Sequence, residues 1–266
     1  MMQAEWFLLL MLLGAGSGAV NGVIGFCSML IVVPVLYFFA PFFEFDFSNM
    51  LLPIVATCIA AFTPTYLYQW VRAMKEGKVA FQKLIDFAPG VAMGGIIGAQ
   101  LMSLINWPVF FVCFSIVSLM ACFNFVLQII KPEQRQVASP LARLPIGLSI
   151  GALSLLSANS GKTLSESLFF AQPCPVEQRQ ATATGLAVFA SIAAVVGFAF
   201  PAVAFDKLNL SGFAGAIHLP SFVVLSLSHF VFYWLCQSKG NTLDKGVLTV
   251  SLIVFLIVSL LRIGFF

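Results

Sequence analysis

The chain has 266 residues, of which 61% are apolar and 9% charged, with a formal net charge of +3. A soluble domain carries about 25% charged residues, so a water-exposed globule is excluded, and the basic residues are too scattered for a nucleic-acid surface. Apolar runs recur throughout without the alternation of a membrane barrel, as in "SLIVFLIVSLL", which leaves an all-α polytopic membrane protein embedded in a lipid bilayer.

In chain order the apolar segments run 6–20, 23–39, 49–71, 84–104, 108–130, 144–156, 163–171, 181–200, 213–235 and 246–265. The first could pass for a signal peptide, but Glu5 stands where a basic n-region should be, so it reads as a retained membrane segment. Segments one, six and seven fall short of the about 20 residues a full span needs. The pairs one/two and six/seven are therefore expected to be hairpins or broken helices meeting inside the membrane. Six cysteines (27, 58, 113, 122, 174, 236) form no C-x-x-C pair, so neither a metal nor another cofactor is expected.

Lysine and arginine set the orientation. Arg72, Lys75, Lys78 and Lys83 share one loop; Lys131, Arg135 and Arg143 another; Arg179 a third; Lys239 and Lys245 a fourth. With those loops cytoplasmic, ten of the thirteen basic residues lie inside and both termini outside. Segments one to five then run opposite to segments six to ten. Two inverted-topology repeats of about five segments follow, 1–130 and 144–266, joined by a cytoplasmic linker at 131–143. That is a recurring transporter plan.

The repeats share an interrupted opening. "GAGSGAVNGVIGFCSMLIVVPVL" from Gly14 overlays "GLSIGALSLLSANSGKTLSES" from Gly147 without gaps, pairing Gly18 with Gly151, Gly25 with Ala158, Cys27 with Ser160, Ser28 with Gly161 and Met29 with Lys162. A weaker echo pairs residues 55–64 with 182–191, and so Thr57 with Thr184. Backbone groups left unpaired in hydrocarbon cost several kcal/mol each, so such breaks persist only where protein or a water-filled cavity satisfies them. A half-helix starting near Val23 or Thr163 would aim amide donors and a positive dipole end into the protein. Two such ends facing one another across a pseudo-twofold axis would make a midplane anion site.

The Gly14–Leu36 stretch resembles the opening of the sulfite exporter TauE/SafE family of permeases, with Gly14, Gly18, Gly22, Gly25, Pro34 and Leu36 in register. Cys27-Ser28-Met29, and in the second repeat Ser160-Gly161-Lys162, stand in place of the family's glycine triplet. "GFAGAIHLPSFVVLSLSHFVFYWLCQ", 212–237, is also similar to the family. The resemblance implies transport of small sulfur-containing or organic anions.

Lys162, a charge placed mid-membrane, is the leading anion contact, with pairing to Glu166 one turn on as the plain structural alternative. Glu166 is either that counter-ion or the group that couples a proton or sodium ion to transport. Asn21, Gly22, Gly25, Cys27, Ser28, Asn159, Ser160, Gly161 and Thr163, with Thr57 and Thr184, complete the expected substrate site. His218 and His229 read as packed or hydrogen-bonded residues. No H-E-x-x-H or G-x-S-x-G set and no nucleotide-binding motif occurs, which argues against an enzyme and against ATP-driven transport. The expected function is a secondary transporter working by alternating access, moving a sulfur oxyanion or organosulfonate such as sulfite or sulfoacetate across a bacterial inner membrane. An anion channel and a non-transporting scaffold subunit are the alternatives. Direction of transport and oligomeric state leave no mark in the sequence.

Overall fold

A computed structural model describes residues 2–43, 46–130, 143–171, 174–202, 211–238 and 245–265. The linker expected at 131–143 lies outside the described residues except for Arg143. Ten α-helices occupy the ten expected segments: α1 (Met2–Ile24), α2 (Met29–Phe39), α3 (Phe47–Lys75), α4 (Phe81–Met102), α5 (Trp107–Ile130), α6 (Arg143–Leu156), α7 (Lys162–Ala171), α8 (Val176–Ala199), α9 (Leu219–Cys236) and α10 (Lys245–Phe265). Seven of them, α1, α3, α4, α5, α8, α9 and α10, are long and apolar enough to cross a membrane.

The distribution of side chains is that of a protein dissolved in lipid. Leu8, Met11 and Leu12 on α1, Val112, Ile116, Leu119 and Phe123 on α5, and Val250, Val254 and Leu261 on α10 are exposed. Ser17, Asn21, Asn124, Ser154, Asn159, Lys162, Glu166 and His229 are buried. Water would favour the reverse arrangement; hydrocarbon rewards this one, because polar groups find partners only inside the protein.

Three boundaries differ from the sequence reading. The first segment is not short: α1 supplies a 21-residue span, Ala4–Ile24, because Gly16, Gly18 and Gly22 are carried within the helix rather than ending it. Its break accordingly comes after Ile24 and not near Val23. The ninth segment does not begin as a helix at 213. A two-stranded antiparallel hairpin, β1 (Phe213–Ala214) with β2 (Ile217–His218), precedes α9. Pro220, second residue of α9, has no N–H to lose there.

The chain forms two compact units, Met1–Thr65 with Val203–Phe266, and Tyr66–Ala202. In the first, α1 packs along α9, and α2 and α10 lie against one another. In the second, α4 packs along α6 and α8, while α7 lies against α5 and α8.

Glycine ridges make both main helix pairings possible. On α1, a Cβ added at Gly18 would collide with the backbone carbonyl of His229, and one at Gly22 would come within 2.8 Å of the Tyr233 carbonyl oxygen. On α4, Gly90 and Gly94 meet the carbonyls of Leu144 and Leu148 in the same way; on α6, Gly151 meets that of Val91. Spacing by four residues keeps each row on one helix face, and missing side chains let backbones approach closely where lipid gives helices no hydrophobic reason to associate. Gly147 and Gly151 are thus used within the chain, against α4.

Because the obstacle at Gly94 is backbone, it cannot swing aside. Gly94→Ala is expected to lower stability by about 1–3 kcal/mol, the usual range for overpacking. Gly16→Ala, with nothing within 4 Å of the added carbon, should melt like the wild type. Thermal unfolding of both variants in one detergent checks this; equal midpoints would rule out the close α4–α6 approach.

Candidate functional site

At two places, after α1 and after α6, helix stops and restarts. α1 ends on Gly25 in the left-handed region (φ 72), whose N–H donates to the Asn21 carbonyl at 2.8 Å. That single bond is the αL form of helix cap. After Phe26 and Cys27 the chain turns back into helix with Ser28 as the N-cap of α2. α6 ends on Ala158, also left-handed (φ 50). Ala158 N–H donates to Leu155 and Asn159 N–H to Ser154 at 2.7 Å, a Schellman pair of bonds. α7 then starts at Lys162, behind Gly161 at φ 93.

The gapless overlay pairs Gly25 with Ala158 and Met29 with Lys162. Those pairs are, respectively, the left-handed residues that end α1 and α6 and the residues that begin α2 and α7. Alanine in the left-handed region costs roughly 1–2 kcal/mol that glycine avoids. The second break therefore holds its shape against the local preference of its own residue.

Both restarts leave amide donors unused. In α2, Leu30 donates to Cys27, and Ile31 and Val32 donate to Ser28; the N–H groups of Ser28 and Met29 have no partner among the described residues. In α7, Ser165 donates to Gly161 at 3.1 Å, and the N–H groups of Gly161, Thr163 and Leu164 have none among the described residues. These are the donors a helix start presents to an anion.

Side chains around the first break divide into the engaged and the unengaged. Ser28 does not cap its own helix. Its Oγ lies 2.7 Å from His229 Nε2, and the other ring nitrogen, Nδ1, lies 2.9 Å from Thr65 Oγ1. Phe62 covers the ring at 4.4 Å between centroids. Asn21 differs: it is 2% exposed, and neither end of its amide has a partner among the described residues. Gly22 faces α9, so its closest neighbour is packing. Cys27 is buried between the two helices' ends.

The second break repeats the pattern with different residues. Ser154, which the overlay sets opposite Asn21, is fully buried and its hydroxyl has no partner among the described residues; Ser165 and Ser191 share that condition. Ser154 Oγ would sit 3.7 Å from a Cβ added at Gly161, and Ala190 Cβ 3.5 Å, so α6 and α8 both flank the turn. Lys162 is 2% exposed and Glu166 7%, the two charges of α7 lying one turn apart. Asn159 Nδ2 donates to Thr163 Oγ1 at 3.3 Å, and Asn124 Nδ2 on α5 donates to the Thr163 carbonyl at 3.1 Å and to Ser167. Ser160 is buried in the turn.

Asn21 to Ser28 thus gather at one break, and Asn159 to Glu166 at the other. The two threonines of the weaker echo do not play matching parts. Thr57 Oγ1 accepts the N–H of His218, just before α9. The corresponding bond in the other unit, from Ala80 N–H just before α4, goes to Thr182 Oγ1 at 3.0 Å. Thr184 spends its hydroxyl on Gln180 of its own helix, so the echo is two residues out of register with the bonding. His229, Thr65, Asn124 and Ser154 escaped the sequence reading as site residues. Asn124, alone among apolar neighbours in "CFNFVL", carried a signal; Thr65 and Ser154 did not.

The family model described as sulfite exporter TauE/SafE matches residues 10–263. No curated protein and no solved structure matches the chain.

A buried polar group without a partner destabilises the unliganded protein. Asn21→Leu, similar in volume, and Ser154→Ala are therefore expected to hold or raise the melting midpoint without ligand, by up to about 1–3 kcal/mol for the amide. A clear fall in midpoint for either variant would mean that the side chain has a structural partner.

Proposed function

The chain belongs to the sulfite exporter TauE/SafE family, and we propose that it is a secondary transporter for a small anion, with a sulfur oxyanion or organosulfonate such as sulfite or sulfoacetate as its substrate. TauE/SafE proteins are membrane permeases rather than enzymes. One observation carries the anion reading. At each helix break a set of unpaired backbone donors lies on the same short segment as a buried polar side chain, Asn21 or Ser154, that has no partner among the described residues.

Such groups are expensive to keep dry and unpaired. Their retention at matching positions of two breaks is accounted for if a substrate supplies the missing acceptors. A tetrahedral or pyramidal oxyanion suits them, since its several oxygens accept from amide and hydroxyl donors at once. Lys162 adds the charge that favours an anion over a neutral solute. Glu166, one turn later on α7, balances Lys162 when no anion is bound, and its carboxylate offers a place for a coupling proton or sodium ion. Asn159 and Ser160 lie in the second turn with the left-handed Gly161, and the left-handed Gly25 ends α1 at the first.

The two repeats, 1–130 and 144–266, are proposed to be related by inversion, which gives alternating access a structural basis: exchanging the conformations of the two halves opens the opposite side. The close glycine pairing of α1 with α9 and of α4 with α6 supports this reading, because inversion would map one pair onto the other. The same reading places both termini outside a bacterial inner membrane, with the basic loops on the cytoplasmic side.

Thermal-shift measurements on the purified protein with sulfite, sulfate, thiosulfate, taurine, sulfoacetate and simple carboxylates test the assignment. A ligand specific for the folded state stabilises it by mass action, by about 2.7 kcal/mol at a hundred times its Kd. At least one sulfur anion is expected to raise the midpoint of the wild type and to lose that effect in Lys162→Ala. Equal shifts in both proteins would remove Lys162 from the site, and silence toward every anion would end the transporter-for-anions reading.

A further inference from the structure

We propose that His229 is a proton-binding site, and that its protonation readies Ser28 to bind the anion, so that one proton and one anion bind together. The proposal rests on the anion reading above and names the coupling ion and the residue that carries it. Its basis is a short chain of groups in the first unit: Thr65 Oγ1 at 2.9 Å from Nδ1, the ring, Ser28 Oγ at 2.7 Å from Nε2, and the uncapped start of α2.

Both partners of the ring are hydroxyls, and this matters. A hydroxyl donates or accepts at no cost in geometry, so the ring can change protonation without losing a hydrogen bond. A carbonyl partner would trap one nitrogen as a donor, and an amide N–H would trap it as an acceptor. In the neutral Nδ1–H form, Nδ1 donates to Thr65 and the Ser28 hydroxyl donates to Nε2. Uptake of one hydronium proton from solvent at Nε2 makes the ring a cation and that nitrogen a donor to Ser28 Oγ. The Ser28 hydrogen is thereby released. Its alternative acceptor within the protein is the Ser17 carbonyl, at 3.5 Å, a poor bond. An anion held by the free amides of Ser28 and Met29 is a better one.

The charge balance points the same way. His229 is fully buried, and a buried imidazolium is costly without a counter-charge. Around His229, α1 presents Gly18 to its backbone, while the ring meets Ser28 at the start of α2 and Phe62 and Thr65 on α3. Other titratable groups on or beside these elements are Glu5 at the exposed start of α1, Cys27 and Tyr37 by α2, Cys58, Tyr66, Tyr68, Arg72 and Lys75 on α3, and Tyr233 and Cys236 on α9; none of them hydrogen-bonds to the ring. The first unit thus offers the imidazolium no carboxylate partner among its described residues. A bound anion at the start of α2 supplies the counter-charge, and by linkage the proton raises the anion's affinity by the same factor.

The test measures anion affinity of the full chain between about pH 6 and pH 8, the range over which histidines usually titrate. Sulfate, thiosulfate and sulfoacetate serve as probes because they keep a constant charge there, whereas sulfite does not. For the wild type, affinity is expected to weaken by up to about tenfold per pH unit, the slope of one co-bound proton. In His229→Gln, which keeps a donor and an acceptor but cannot be charged, the slope should vanish. Loss of the slope in Glu166→Gln with its retention in His229→Gln would overturn the proposal, as would a pH-independent wild type. Wild-type protein that binds none of the three anions would instead bring down the anion reading, and this one with it. The chain has two histidines, so His218→Gln leaves His229 as the sole ring for 15N spectroscopy, which needs no change at His229. Whichever of the three anions binds should, when added, convert the ring to imidazolium; a ring that stays neutral with that anion bound refutes the proposal whether or not His229→Gln folds.

Discussion

Hydrocarbon gives an unpaired backbone group no partner, and the architecture of this protein follows from that constraint. Seven spanning helices satisfy their own amides and carbonyls. The short helices α2, α6 and α7 cannot cross, so their ends fall where protein must receive them. The caps at Gly25 and Ala158 recover some carbonyls of the outgoing helices through bonds to Asn21, Leu155 and Ser154. The incoming helices recover less. Amides of Ser28, Met29, Gly161, Thr163 and Leu164 have no partner among the described residues, and neither do the buried side chains of Asn21 and Ser154. A scaffold under the same constraint would gain by pairing these groups or deleting them. A permease that handles anions gains by keeping them.

Packing without a hydrophobic force explains how such breaks are held. In lipid, helices associate through close contact rather than expulsion of water. Rows of glycine on α1, α4 and α6 bring backbones against the carbonyls of their partner helices. The helix that leads into each break is the one so clamped: α1 by α9, α6 by α4. The left-handed Ala158 belongs to this picture, because a residue with no local preference for that geometry needs surroundings that impose it.

The two breaks share a backbone plan and differ in chemistry. The first is neutral, with Ser28, His229 and Thr65 linked and Asn21 unengaged. The second carries Lys162 and Glu166 and is richer in hydroxyls. The glycine triplet of the family motif, replaced here by Cys27-Ser28-Met29 and Ser160-Gly161-Lys162, is where that chemistry enters. Side chains at these positions give up some backbone approach and gain a hydroxyl linked to His229 in one half and an ammonium group in the other.

Composition and hydropathy determined the class and the existence of ten helical segments, and the resemblance carried by Gly14–Leu36 pointed to the family. They also located the two interruptions, because glycine and polar residues in an apolar run carry an energetic penalty that is local and therefore legible. The gapless overlay went further and paired Gly25 with Ala158, the two left-handed residues. Other features were decided by the tertiary structure. Helix α1 runs through Asn21 and Gly22 because α9 packs on its glycine face; no feature within the segment itself announces that support. His229 joins Ser28 and Thr65 across 201 and 164 residues of chain, and Ala80 finds Thr182 across 102. Local preferences are written residue by residue, but which hydroxyl meets which ring depends on where other helices come to rest.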